Sequence, residues 1–87
     1  MHYVYILRCA DDGFYVGETH DLAHRLVQHQ EGAASRYTAP RRPVELAYAE
    51  AYPDRQSALA RERQVKRWTR AKKKALIVGD VQALKRS

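Results

Sequence analysis

The sequence predicts a small α+β domain: a three-stranded antiparallel sheet flanked by helices, in the order β-β-α-β-α-α. Three observations carry this expectation. Two β-branched, aromatic runs are separated by a turn signal, a third such run lies between residues 44 and 52, and three polar capping residues each precede an apolar-periodic segment. In order along the chain, residues 2–9 form the first strand and Phe14-Tyr15-Val16-Gly17 the returning one, around Asp11-Asp12-Gly13. Asp21 caps a helix containing Leu22, Leu26 and Val27, which Gly32 ends. Residues 33–43, with Ser35, Thr38, Pro40 and Pro43, read as a loop. Asp54 caps a helix over 55–68, and Thr69 a short one that runs to Val78 before Gly79 breaks it. No repeat or linker divides the 87 residues, so one domain is expected, with a core over 2–78 and a tail from 79 to 87.

Composition restricts the class. With 45% hydrophobic and 30% charged residues the chain is expected to fold. No apolar run reaches the roughly 20 residues of a membrane helix, and the N-terminus lacks a signal-peptide layout. The single Cys9 cannot form an intramolecular disulfide and reads as a buried, inert thiol, so a cytoplasmic location is the default. The net charge is +6, and its placement is informative. Residues 61–74 hold eight basic side chains (Arg61, Arg63, Lys66, Arg67, Arg70, Lys72, Lys73, Lys74) against one acid, Glu62. Such a concentration points to a polyanion, nucleic acid above all, with a solvated helix face as the plain alternative. The loop Ser35-Arg36-Tyr37-Thr38-Ala39-Pro40-Arg41-Arg42 sets arginines around one ring, a mixture suited to single-stranded or distorted nucleic acid.

Three constellations could carry chemistry. A three-residue turn with Gly13 left-handed would pair Cys9 with Tyr15 and Leu7 with Gly17, placing Tyr5 and Tyr15 on one face. A two-residue turn would put them on opposite faces. The sequence permits both, and two tyrosines on one face also suit ordinary packing. Arg25 and His29, four residues apart, share a helix face at the border of its apolar stripe; the one suits a phosphate, the other a phosphate oxygen or a leaving group. His2, His20 and His24 read as surface residues. Glu62 lies within the apolar stripe of its own helix, between the directions of Ala58 and Leu59. A carboxylate there calls for a partner, either a buried arginine or a hard metal ion such as Mg²⁺ or Mn²⁺.

These pieces together resemble the GIY-YIG nucleases. Tyr3-Val4-Tyr5 is similar to the GIY element and Tyr15-Val16-Gly17 to the YIG element, while Arg25, His29 and Glu62 follow at the family's spacings. The resemblance spans residues 2–78 and is to the small standalone bacterial members, similar to the N-terminal domain of the excinuclease C subunit. Three positions depart from the pattern: Tyr3 replaces the first glycine, Glu18 stands where some members are basic, and Lys74 where several carry asparagine. The resemblance implies metal-dependent hydrolysis of a phosphodiester in one step. Glu62 would hold one Mg²⁺ or Mn²⁺, Tyr5 or Tyr15 would help deprotonate water, Arg25 would neutralise the phosphorane, and His29 would position a phosphate or assist a tyrosine. Arg36, Tyr37, Arg41, Arg42, Lys66, Arg67, Arg70, Lys72, Lys73 and Lys74 are the candidate nucleic-acid contacts. Without a second domain to read a duplex, single-stranded or structured DNA is the expected substrate, with RNA left open. The competing readings are a non-catalytic nucleic-acid-binding module and a subunit that docks on an acidic protein. An exposed sheet edge or Trp68 suits a monomer or a weak homodimer.

Overall fold

The structure, a computed structural model, describes residues 1–79. Three strands, β1 (His2–Arg8), β2 (Phe14–Thr19) and β3 (Glu45–Tyr52), form one antiparallel sheet in the order β2-β1-β3. Three α-helices accompany it, α1 (Leu22–Gln30), α2 (Arg55–Lys66) and α3 (Arg70–Val78), and a 3₁₀ turn, Ala39–Arg41, lies inside the segment expected to be a loop. The predicted fold class and element order are those observed, and no described helix is long and apolar enough to cross a membrane.

Alternation along β1 sorts the core into two layers. Val4 and Ile6 face α2 and α3 and pack with Val16, Ala58, Val65 and Leu76. Tyr5, Leu7 and Cys9 face the other way and pack with Val44 and with Leu22 and Leu26 of α1. Burying an aliphatic side chain of this size contributes about 1.5–3 kcal/mol, so these two layers hold the sheet between its helices. Cys9 is buried and free, as expected.

The helix ends follow their capping residues. The Asp21, Asp54 and Thr69 side chains accept from the backbone N–H of His24, Ser57 and Lys72, respectively. Gly32, at φ 78°, follows the last turn of α1, and its N–H donates to the His29 carbonyl. Gly79 ends α3 in the left-handed region; residues 80–87 of the expected tail lie outside the described residues.

The hairpin turn differs from the expectation. The register pairs Leu7 with Tyr15 and Tyr5 with Gly17, so Cys9 does not face Tyr15 and residues 9–13 form the connection. The left-handed residue is Asp12 (φ 65°), not Gly13. The Cys9 carbonyl accepts from Asp12 N–H, Cys9 N–H donates to the Gly13 carbonyl, and Asp11 Oδ1 accepts from Gly13 N–H. Gly13 leaves space instead: a Cβ there would stand 2.5 Å from the Tyr37 hydroxyl, which would have to move. Because the register differs from the expected one by two residues, the pleat is conserved and Tyr5 and Tyr15 share a face.

Candidate functional site

Tyr5 and Tyr15 come together through a glycine. The Tyr5 ring lies across Gly17, where an added Cβ would stand 2.5 Å from Tyr5 Cζ. The Tyr5 and Tyr15 ring centroids are 6.4 Å apart. Tyr5 is 1% exposed, whereas Tyr15 is only partly covered and lines a shallow groove of ≈ 210 Å³ with Phe14, Val16, Tyr37, Lys66 and Lys73. The groove lies along edge strand β2, with the 35–41 loop and the helices contributing its other walls.

Helix α1 supplies His29, which is fully buried. Its Nε2 is 2.9 Å from the Tyr5 hydroxyl and its Nδ1 2.8 Å from Thr38 Oγ1. Its ring centroid is 5.1 Å from that of Tyr15, edge on. Both ring nitrogens are therefore engaged inside the protein, and Nε2 meets a tyrosine, one of the two tasks expected of His29. Burial, then the Arg25 charge, holds the imidazole below its ordinary value of 6.5 and keeps it neutral. Burial is also the main reason that the Tyr5 phenol titrates far above the ordinary tyrosine range. Tyr15 adds to this shift, Arg25 opposes it, and Glu62 and Glu18 add smaller upward contributions.

Tyr5, Tyr15 and His29 are in ring contact, and the charges of Arg25 and Glu62, from α1 and α2, reach the Tyr5 phenol. Arg25 is half-buried, and its guanidinium has no hydrogen bond or ion pair among the described residues. Glu62 has no arginine partner among the described residues; Lys66 Nζ lies 3.3 Å from its carboxylate, whose side chain is 15% exposed. No group of three or more His, Cys, Asp and Glu converges among the described residues. A lone, reachable carboxylate fits a hard ion that keeps most of its water and takes phosphate oxygens as further ligands.

The expected nucleic-acid residues divide into two kinds. Lys66 and Lys73 line the groove, and Arg36, Arg67 and Lys74 are exposed. Others have internal tasks. Arg41 lies 4.1 Å over the Tyr37 ring and pairs with Asp11 at 3.0 Å, and Arg42 donates to the carbonyls of Ala39 and Gln30. Arg70 covers Phe14 and donates to the Asp12 carbonyl, and Lys72 stands 4.4 Å over Trp68. Tyr37 is not a free stacking platform, since Arg41 and Tyr15 already engage its ring. Trp68, offered as a dimer contact, is half-buried and carries both Arg61 and Lys72 over its ring. Two polar features escaped sequence reasoning. One is Thr38, the buried partner of His29; the other is Glu50, which accepts from Tyr48, Tyr52 and Arg61. Alternation along the third strand could have marked Glu50 as inward-facing, whereas no local pattern marks Thr38.

Residues 1–75 match the model of the GIY-YIG catalytic domain. A UPF0213 protein of Bacillus pumilus is 47% identical over 72 residues, covering 83% of this chain and 74% of that protein. A UPF0213 protein of Haloquadratum walsbyi is 43% identical over 75 residues, covering 86% and 84%, respectively. The solution NMR structure of a UPF0213 protein from Bacillus halodurans superposes with a TM-score of 0.60 at 38% identity, covering 91% of this chain and 84% of that one. With its fold, its paired tyrosines and its match over residues 1–75, this chain belongs to the GIY-YIG family of the nuclease superfamily.

Proposed function

We propose that the chain is a divalent-metal-dependent endonuclease that hydrolyses phosphodiester bonds in single-stranded or structured DNA. The observation that carries this reading is the Arg25 guanidinium, unpaired among the described residues. Its charge bears on Tyr5 alongside that of Glu62, an acid from a different helix. A structural arginine at this depth would be expected to have a carboxylate or carbonyl partner; this one keeps its donors for an incoming anion.

Glu62 would hold the Mg²⁺ or Mn²⁺, releasing its ion pair with Lys66. When bound, the ion supplies Lewis-acid polarisation of the phosphate and stabilises the leaving oxygen. Arg25 neutralises charge on the phosphorane as the bond from the water oxygen to phosphorus forms and the bond to the leaving oxygen breaks. Of the two tyrosines, Tyr15 lines the groove and Tyr5 does not, so Tyr15 is the one assigned to the attacking water. As phenolate, it takes that water's proton. A phenolate needs positive charge nearby, and Lys66 and Lys73 line the same groove. Tyr5 and His29 form the floor that fixes the Tyr15 ring. The test is incubation of labelled single-stranded, duplex and branched DNA with Mg²⁺ or Mn²⁺, using the parent protein and Glu62→Ala. Cleavage by the parent and none by the variant is expected, with DNA binding kept in both. No cleavage of any substrate by the parent, or equal cleavage by the variant, would sink the nuclease reading.

A further inference from the structure

Tyr5, His29 and Thr38 form a buried chain, at 1%, 0% and 0% exposure, that runs from the sheet through α1 to the 33–44 loop. The location of its protons follows from which groups have alternatives. The Tyr5 hydroxyl has one hydrogen-bond partner among the described residues, His29 Nε2. The phenol carries a proton and lies out of water, so Nε2 must accept it; a protonated Nε2 would leave that proton with no acceptor. At the far end Thr38 does have an alternative, because its hydroxyl also lies 3.5 Å from the Ser35 carbonyl, which can only accept. The hydroxyl can donate to Ser35 while its lone pair faces Nδ1 at 2.8 Å. Each proton in the chain then has an acceptor.

We propose that Thr38 is a positioning residue whose hydroxyl accepts the Nδ1 proton of His29, so that Nε2 stays bare to receive the Tyr5 hydroxyl with no buried donor left unpaired. The acceptor for the histidine proton thus comes from a loop, nine residues beyond His29. Its consequence for catalysis rests on the nuclease reading. With its proton committed to His29, the Tyr5 ring is fixed in place, and the His29 edge is held against Tyr15, the ring that meets the water.

The experiment is long-range ¹H–¹⁵N correlation of the histidine side chains in uniformly ¹⁵N-labelled protein near pH 7.5. His29 is assigned by its absence in His29→Gln. The parent and Thr38→Ser should show Nδ1 protonated and Nε2 bare. Thr38→Val removes the acceptor of the Nδ1 proton while Tyr5 still needs Nε2, so its Nδ1 signal should move away from the parent position. A parent spectrum with Nε2 protonated overturns the proposal, as does a Thr38→Val spectrum whose Nδ1 signal stays where the parent has it. Should Thr38→Val fail to fold, the parent and Thr38→Ser spectra still decide. On the DNA cleaved by the parent, Thr38→Val should lose roughly 10–100-fold in kcat, the range for partners that fix a functional histidine, and Thr38→Ser should recover it. Equal rates in all three proteins would overturn the catalytic consequence. Absence of cleavage by the parent would instead overturn the nuclease reading, since the spectra need no substrate.

Discussion

Replacing Gly17 with alanine tests the steric basis of the site in a single atom. Gly17 has an ordinary strand backbone, so the change adds no φ penalty, and removing a strand glycine should itself help by about 0.5–1 kcal/mol. Against that, the new Cβ would stand 2.5 Å from Tyr5 Cζ and 3.0 Å from Cε1. The ring cannot yield cheaply: it is 1% exposed, and its hydroxyl is tied to His29. Overpacking of this kind costs about 1–3 kcal/mol, and loss of the buried hydrogen bond about 1 kcal/mol or more. The expected net loss is roughly 2–3 kcal/mol, which for a domain of this length lowers Tm by about 10–20 °C. Urea and thermal unfolding of the parent, Gly17→Ala, Tyr5→Ala and the double variant measure it. In the double variant the ring is gone, so Gly17→Ala should cost little, giving a coupling of about 2 kcal/mol between the two positions. A loss below about 1 kcal/mol, or the same loss in both backgrounds, would refute the reasoning.

Other outcomes follow from the same geometry. Asp12→Gly should leave stability equal or raised by up to about 1 kcal/mol, and Asp12→Val should lower it, because Asp12 alone among the described non-glycine residues has positive φ; urea midpoints check both. The neutral state of buried His29 makes stability depend on pH. Its folded value lies below 6.5, so the unfolded chain binds the proton more readily. The contribution is therefore complete above pH 6.5 and is lost as pH falls through the folded value. Urea unfolding of parent and His29→Gln between pH 5 and 7.5 should show this slope in the parent and its loss in the variant. Arg61→Ala should lower Tm with little change in the salt dependence of DNA binding, since Arg61 is held 2.6 Å from Glu50. Lys73→Ala should do the opposite, reducing the salt slope by about 1. Equal slopes for parent and Lys73→Ala would remove that lysine from the DNA surface.

Much of the fold was legible because local chemistry decides it. Asp21, Asp54 and Thr69 cap the helices they precede, and a two-residue difference in register left Tyr5 and Tyr15 on one face because the pleat repeats every two residues. Illegible features depended on contacts distant in sequence. Gly13 looked like the left-handed turn residue, yet its lack of a Cβ serves the Tyr37 hydroxyl from another loop. Glu62 was marked by its helix position, but its partner is a lysine on its own helix rather than a buried arginine. Charge counting could not separate Arg61 and Arg70, packed on Trp68 and Phe14, from Lys66 and Lys73, which line the groove. Thr38 stayed hidden because it meets His29 from an irregular segment whose path the sequence does not specify.

The strand order has a consequence for motion. β1 is hydrogen-bonded on both sides, whereas β2 has a neighbour on one side only. Tyr5 therefore sits in the strand whose amides should exchange with solvent last, and Tyr15 in one that can fray without unfolding the rest. Amide exchange should then find the Tyr5 half of the site the better protected one. On the proposed function, a polyanion meets the half that gives way first, while the inner tyrosine and its histidine stay in register.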